Sequence, residues 1–92
     1  MSVHVAKETF VTVEVFDPHR HRSAILEGLR PSATMAEIKA RAMSELRLPE
    51  LDWNVRHDRT GRLLQDGQRL EDLMDDSRTQ IALVMQPDAG LG

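Results

Sequence analysis

Residues 31–46 read PSATMAEIKARAMSEL, and this stretch decides the fold class. Thr34 and Glu37 stand three residues apart, the spacing at which a hydroxyl and a carboxylate cap the first turn of a helix reciprocally. Leu48-Pro49 ends the helical pattern, because proline disfavours a helical conformation in the residue before it. Apolar residues between these signals recur at helical spacing and define one buried stripe: Met35, Ile38, Ala42 and Leu46.

Strand-like segments lie on both sides of this helix. Apolar residues alternate through 11–16, 53–57 and 79–85, which is the pattern of strands with one buried face. Residues 23–30 predict a strand that pairs with the first as a hairpin, with Gly28 as the candidate position for a bulge. A short strand at 62–64 and one helical turn within 69–74 complete the order. The sequence predicts an α+β fold, the β-grasp arrangement, in which a mixed sheet of four to five strands packs on one helix.

The composition argues against several classes of function. The 92 residues include no cysteine, which excludes disulfides, thiolate nucleophiles and cysteine-ligated zinc. A formal charge of -3 argues against nucleic-acid binding, and no apolar run is long enough to span a membrane. His19 and His21 lack an evident third ligand, so no metal site is expected. We therefore predict a cytoplasmic protein that is not an enzyme and that holds no cofactor of its own.

Several segments resemble ubiquitin in order and spacing. Residues 31–41 are similar to the entry into ubiquitin's helix, and Leu48-Pro49 resembles its exit. Residues 61–73 (GRLLQDGQRLEDL) are similar to ubiquitin's glycine–basic–X–Leu–acidic–Asp–Gly–X–X–Leu stretch, and residues 79–85 match its closing strand. The resemblance covers about residues 11–92. It implies an N-terminal leader at 1–8, a ubiquitin-like domain at 9–86 and a flexible tail at 87–92.

The resemblance implies a protein modifier whose terminal carboxylate is the reacting group. An activating enzyme that uses ATP would adenylate the carboxylate of Gly92, and a conjugating enzyme would carry it as a thioester to an amine on a target protein. These enzymes would recognise Gly90 and Leu91 in the tail. Ubiquitin ends on a Gly-Gly pair, whereas this chain has Leu91 at the second-last place. The closest fit is to bacterial ubiquitin-like proteins encoded beside such enzymes and a zinc-dependent deubiquitinase-type peptidase.

The resemblance also indicates a surface for partners. Asn54 or Arg56, together with Ala82 and Val84, match ubiquitin's exposed apolar patch; we take Arg56, Ala82 and Val84 as the contact residues, and Val84 alone keeps a clearly apolar character. Phe16 is a second candidate contact, with an edge contact on the core as its alternative role. Lys39 matches a helix lysine that ubiquitin keeps largely tucked against the fold, and Lys7 lies in the leader. We therefore expect this modifier to be attached singly more often than in chains.

Two other functions fit the same pattern. One is a non-covalent β-grasp accessory subunit, like those of bacterial multicomponent monooxygenases or type VII secretion, which does not need a terminal glycine. The other is a sulfur carrier of the molybdopterin or thiamine type, which is also adenylated at a terminal glycine but then bears a thiocarboxylate.

Overall fold

The computed structural model describes residues 10–74 and 80–87. Its elements in chain order are β1 (Val11–Phe16), β2 (Ser23–Leu29), α1 (Met35–Leu46), β3 (Trp53–His57), β4 (Leu63–Leu64), a 3-10 turn (Leu70–Asp72) and β5 (Gln80–Pro87). The strand order in the sheet is β2-β1-β5-β3-β4. Strands β1 and β5 are parallel, and the other neighbouring pairs are antiparallel. This mixed sheet of five strands with one helix confirms the predicted β-grasp fold.

The start of α1 follows from its local sequence. The Thr34 hydroxyl accepts a hydrogen bond from the Glu37 N–H, and the Glu37 carboxylate accepts one from the Thr34 N–H, each at 3.3 Å. This reciprocal pair satisfies two backbone donors that the first turn leaves without helical partners. The buried residues of the helix are the four that the periodicity predicts: Met35, Ile38, Ala42 and Leu46.

The helix ends just before Leu48-Pro49, as the sequence predicts. The helix ends through Arg47, which adopts the left-handed conformation at φ 52°, and the Leu48 N–H donates back to the Met43 carbonyl at 3.0 Å. A residue with a Cβ in this conformation is strained, and glycine usually fills the position. The Arg22 guanidinium, from the β1–β2 loop, donates a hydrogen bond to the Leu46 carbonyl at 2.7 Å. This carbonyl belongs to the last helical turn, whose acceptors have no partners within the helix. Arg47 and Arg22 therefore cap the helix, and Pro49 lies two residues beyond the capping residue Arg47.

A bulge in β2 decides which of its side chains reach the core. Val13 pairs with Leu26 and Val11 pairs with Leu29, so β2 has one residue more than β1 between these pairs. Gly28 lies in the extra segment with φ 68°, which confirms the predicted bulge. Because the bulge shifts the alternation, the strand buries Ala24 and Leu26 before it and Leu29 after it.

The core lies between the sheet and α1. Strand β5 is at the centre, between β1 and β3, and it buries alternate residues: Ile81, Leu83 and Met85. Strands β2 and β3 run in the same direction, so a tight turn cannot join them. Helix α1 provides the crossover between them. Strand β5 includes Pro87, which the prediction assigned to the tail, and Pro87 pairs with Trp53. The predicted leader and residues 88–92 lie outside the described residues. Within the described ranges, no helix has the length and apolar character that crossing a bilayer requires.

Candidate partner-binding face

The sheet surface opposite α1 brings the predicted contact residues together. Val84 lies in β5 between Phe16 of β1 and Arg56 of β3. Ala82 lies two residues earlier on the same side of β5, beside Glu14. All of these residues are half-buried. We call this surface, formed by Phe16, Arg56, Ala82 and Val84, the outer face. The predicted tail residues Gly90, Leu91 and Gly92 lie outside the described residues.

Phe16 belongs to the outer face and not to the core. The valines of β1 are buried, and Phe16 alternates with them, so its ring lies on the opposite side of the sheet. It is beside Val84 in the parallel β1–β5 pair. The two apolar side chains therefore form one small patch, and the alternative that made Phe16 an edge contact on the core is wrong.

The loop between β1 and β2 is organised by Asp17, which is 8% exposed. Its carboxylate accepts hydrogen bonds from the N–H groups of His21 at 2.7 Å and Arg22 at 3.2 Å. Burial would raise the pKa of Asp17, but these N–H donors and the nearby positive charges outweigh it and lower the pKa below the ordinary value of 3.8. The loop is therefore held in one shape at neutral pH.

This loop carries Arg20 across the end of the outer face. The Arg20 guanidinium lies 5.4 Å from the centre of the Phe16 ring and forms an ion pair with Asp58 in the turn after β3. A cation over an aromatic ring at this distance is attracted by the ring's negative face. Arg20 thus covers the apolar patch from one side. The sequence places Arg20 and Asp58 only in polar turns, and no local signal joins residues so far apart in the chain.

Arg56 is held on the same side of the sheet. Its Nε donates to the Gln86 side-chain oxygen at 2.8 Å, and its Nη1 donates to the Gly61 carbonyl at 2.9 Å. The surface beside the patch is of mixed charge, because Arg56 lies next to Val84 and Glu14 lies next to Ala82. Two further arginines, Arg59 and Arg62, are exposed in the turn that follows β3.

A groove of about 610 Å³ opens at the end of the sheet, next to the outer face. Its walls are residues 17–20 of the β1–β2 loop, residues 56–58 of β3 and its turn, residues 84–87 of β5, and Leu48 and Trp53. The groove exists because β1 ends at Phe16, opposite Val84, whereas β5 continues to Pro87.

His57 has a structural role at the border of this region. Its Nδ1 accepts hydrogen bonds from the N–H groups of Arg59 at 3.2 Å and Thr60 at 3.3 Å. Burial, together with the nearby Arg59 charge, lowers the pKa of His57 below 6.5, although Asp58 acts in the opposite direction. Among residues 10–74 and 80–87, no three His, Cys, Asp or Glu side chains are placed to hold a metal ion. The neutral imidazole therefore acts as an acceptor that shapes the turn.

No protein-family model matches this chain, and no curated protein matches its sequence. Solved structures do match its fold. A de novo design based on ubiquitin aligns over 90% of this chain and 94% of its own, with 14% identity and a TM-score of 0.68. Caldiarchaeum subterraneum ubiquitin aligns over 88% of this chain and 99% of its own, with 20% identity and a TM-score of 0.63. A ubiquitin-like domain from Arabidopsis thaliana aligns over 97% of this chain and 88% of its own, with 15% identity and a TM-score of 0.66. The chain has a ubiquitin-like fold.

Proposed function

We propose that this chain is a ubiquitin-like protein modifier whose Gly92 carboxylate is joined to amines of target proteins. The observation that carries the proposal is the position of β5. This strand is held between β1 and β3 in the centre of a ubiquitin-like sheet, and it leads directly to a segment that contains Gly90 and Gly92. A rigid body followed by a thin, glycine-containing segment suits an enzyme that grips the body and draws the tail into its active site.

The reach of the tail is compatible with this role. Residues 88–92 add five residues beyond β5, and a fully extended chain of that length spans about 17 Å. Gly92 adds no Cβ beside the reacting carbonyl, and Gly90 permits close approach of a partner's backbone. Leu91 is the one large side chain in this segment, and we assign it and Gly90 to recognition by the partner enzymes.

The proposed chemistry consists of one adenylation followed by three acyl transfers. The Gly92 carboxylate attacks the α-phosphate of ATP on an activating enzyme, which forms an acyl-adenylate and releases pyrophosphate. A cysteine thiolate attacks the acyl carbon and releases AMP, and a second thiolate on a conjugating enzyme takes over the acyl group. A target amine then attacks: the C–N bond forms, the C–S bond breaks, the thiolate leaves and a base takes the amine proton. This chain is the substrate at each step.

The outer face is the proposed grip for these enzymes. Phe16 and Val84 supply a small apolar contact, and Arg56 supplies a fixed guanidinium beside it. The side chain of Ala82 is small, so a partner side chain can approach β5 closely beside Val84. A zinc-dependent peptidase that removes the modifier would use the same face and cleave after Gly92.

Co-expression of the tagged protein with its neighbouring genes tests the proposal. We expect adducts of higher mass with the intact chain and none after deletion of Gly92, because the acyl donor is then lost. Val84→Glu should weaken adduct formation while the fold persists, and Leu51→Glu, a substitution of an exposed apolar residue in the loop between α1 and β3, is the matched control. A terminal thiocarboxylate in the mass spectrum would overturn the proposal in favour of a sulfur carrier. A stable complex that is indifferent to Gly92 would overturn it in favour of an accessory subunit.

A further inference from the structure

Strand β2 lies at one edge of the sheet, and among residues 10–74 and 80–87 no strand pairs with its outer side. An edge strand presents backbone N–H and C=O groups that can pair with another strand, and a lysine or proline in the strand commonly prevents this. Residues 23–29 include neither lysine nor proline. They include instead Ile25, a β-branched residue that is 60% exposed. In the described part of the chain, β2 is therefore open to a further strand.

The direction of the backbone groups in β2 follows from its pairing with β1. The Asp17 N–H donates to the Arg22 carbonyl at 3.0 Å, so these two residues form a hydrogen-bonded pair where the hairpin closes. Hydrogen-bonded and non-hydrogen-bonded pairs alternate along two antiparallel strands. Glu14 and Ile25 pair three positions further along, and theirs is therefore a non-hydrogen-bonded pair. The N–H and C=O groups of Ile25 thus point away from β1, to the outer edge of the sheet.

Ser23 and Glu27 share this orientation, because each lies two residues from Ile25 in the same strand. The side chains of all three are exposed, whereas the residues between them are buried. The bulge at Gly28 ends this regular stretch. Residues 23–27 therefore form a short edge segment in which the same three residues present both their backbone groups and their side chains.

We propose that two copies of this protein pair through β2, antiparallel, with Ile25 of one copy opposite Ile25 of the other. The N–H of each Ile25 then donates to the Ile25 carbonyl of the other copy, so the central pair forms two hydrogen bonds. The two isoleucine side chains form an apolar cross-strand pair. Ser23 lies opposite Glu27 of the other copy, so no two like charges are directly opposite. The contact uses the same surface on both copies and is closed by a two-fold axis.

The neighbouring symmetric registers are less favourable. A register centred on Glu27 would place two carboxylates directly opposite each other, which is destabilising. A register centred on Ser23 would place Ile25 opposite His21, which lies in the β1–β2 loop and outside the strand. The register centred on Ile25 is therefore the one in which the edge segment is complementary to itself. In the pair, the two sheets become one continuous sheet with both helices on the same side.

NMR of the labelled intact protein at increasing concentration tests the pairing. Because the edge segment is only about five residues long, the dimer should be weak, with a dissociation constant of the order of 0.1–1 mM. Between about 0.02 and about 2 mM, the amide signals of Ser23, Ile25 and Glu27 should shift, and their hydrogen exchange should slow about twofold. The amides of Ala24 and Leu26 point to β1, so their exchange should change less.

Substitution of the central residue should weaken the dimer. Ile25→Lys removes the apolar pair and places two like charges opposite each other, so the dissociation constant should rise by about tenfold or more. Leu63→Lys is the matched control, because Leu63 is 51% exposed and lies in β4, at the opposite edge of the sheet. Sedimentation equilibrium of both variants measures the dimer fraction, and circular dichroism shows whether each variant is folded.

Cross-linking reports the register. The chain has no cysteine, so Ile25→Cys introduces a single thiol. The pairing would hold the two Cβ atoms of this residue about 5 Å apart. A short bismaleimide should therefore join two copies of Ile25→Cys at least about tenfold faster than two copies of Leu63→Cys, in which the thiols meet only by collision.

Three results would overturn the proposal. The first is amide signals and sedimentation that do not change with concentration up to about 2 mM. The second is equal weakening by the two lysine substitutions, or equal cross-linking of the two cysteine variants, because the contact would then not be specific to β2. The third is a shift of residues 23–27 that requires another protein, which would favour strand addition by that protein. None of these measurements involves Gly92, so they are independent of the proposed modifier function.

Discussion

The two faces of the sheet are built from the same strands but by different kinds of interaction. The inner face is a continuous apolar surface against α1, in which Val13, Leu83 and Val55 each follow the alternation of their own strand. The outer face is a small apolar patch bordered by side chains from two distant loops, through Arg20 and Asp58. Local periodicity thus suffices to bury a surface, whereas the border of the outer face depends on contacts between residues that are distant in the chain.

Neighbouring substitutions in β5 give the largest expected contrast. Leu83→Ala removes a fully buried side chain and should lower the free energy of unfolding by about 3 kcal/mol, because a cavity remains. Val84→Ala, one residue further on the outer face, should cost less than about 1 kcal/mol and should instead weaken partner binding. Urea unfolding of both variants measures the contrast. Equal losses would show that the outer face is part of the core.

The bulge that aligns β2 with the inner face gives the next largest effect. Gly28→Ala should destabilise the protein by about 1 kcal/mol, because Gly28 has φ +68° and a Cβ is strained there. The added Cβ meets no atom within 4 Å, so backbone conformation alone accounts for the cost. Gly67→Ala is the control, since Gly67 also has open space but no positive φ. Thermal unfolding should separate the two variants. A Gly28→Ala protein with an unchanged melting temperature would show that a Cβ is not strained at this position.

Loss of the Arg20 contact should affect stability less. The Arg20 side chain is 55% exposed, and an ion pair of this kind contributes about 0.5 kcal/mol or less. Arg20→Ala should therefore change the urea midpoint little, while it uncovers the Phe16 ring. Arg41→Ala, on the exposed side of α1, is a control for the loss of one positive charge. Affinity for a partner enzyme should change with Arg20→Ala alone, as measured by calorimetry; equal effects would point to net charge.

The smallest expected effect is a dependence of stability on pH through His57. Its pKa is lowered in the folded protein, so the unfolded chain binds the proton more readily. The stabilisation is thus present above the ordinary pKa of 6.5 and is lost as the pH falls through the lower folded pKa. The reasons are that burial and the nearby Arg59 charge oppose protonation of His57, and that a protonated Nδ1 could no longer accept from the N–H groups of Arg59 and Thr60. Urea unfolding from pH 8 to 5, compared with His57→Gln, isolates this residue. A difference in unfolding free energy between the two proteins that does not change with pH would refute this role of His57.

Sequence reasoning succeeded where one segment carries its own signal. Thr34 and Glu37 are three residues apart and cap the helix as their spacing predicts, and Gly28 marks the bulge because few other residues adopt its conformation. The outer-face positions Arg56, Ala82 and Val84 followed from strand alternation and resemblance, and the structure places them on one face. The helix ends just before Leu48-Pro49 as predicted, but no local pattern indicated the left-handed Arg47 at its end or the hydrogen bond from Arg22 to the Leu46 carbonyl.

The sequence by itself determined the elements, the buried sides of α1, β1, β3 and β5, and hence the β-grasp class, because helical and strand periodicities are read over a few neighbouring residues. Only the tertiary structure decided that Lys39 lies against Asp66, and that Arg20 covers Phe16 and reaches Asp58. The two ion pairs, Lys39 with Asp66 and Arg20 with Asp58, join residues 27 and 38 positions apart. They exist because the parallel pairing of β1 with β5 and the crossover of α1 bring distant turns together, which no local pattern encodes.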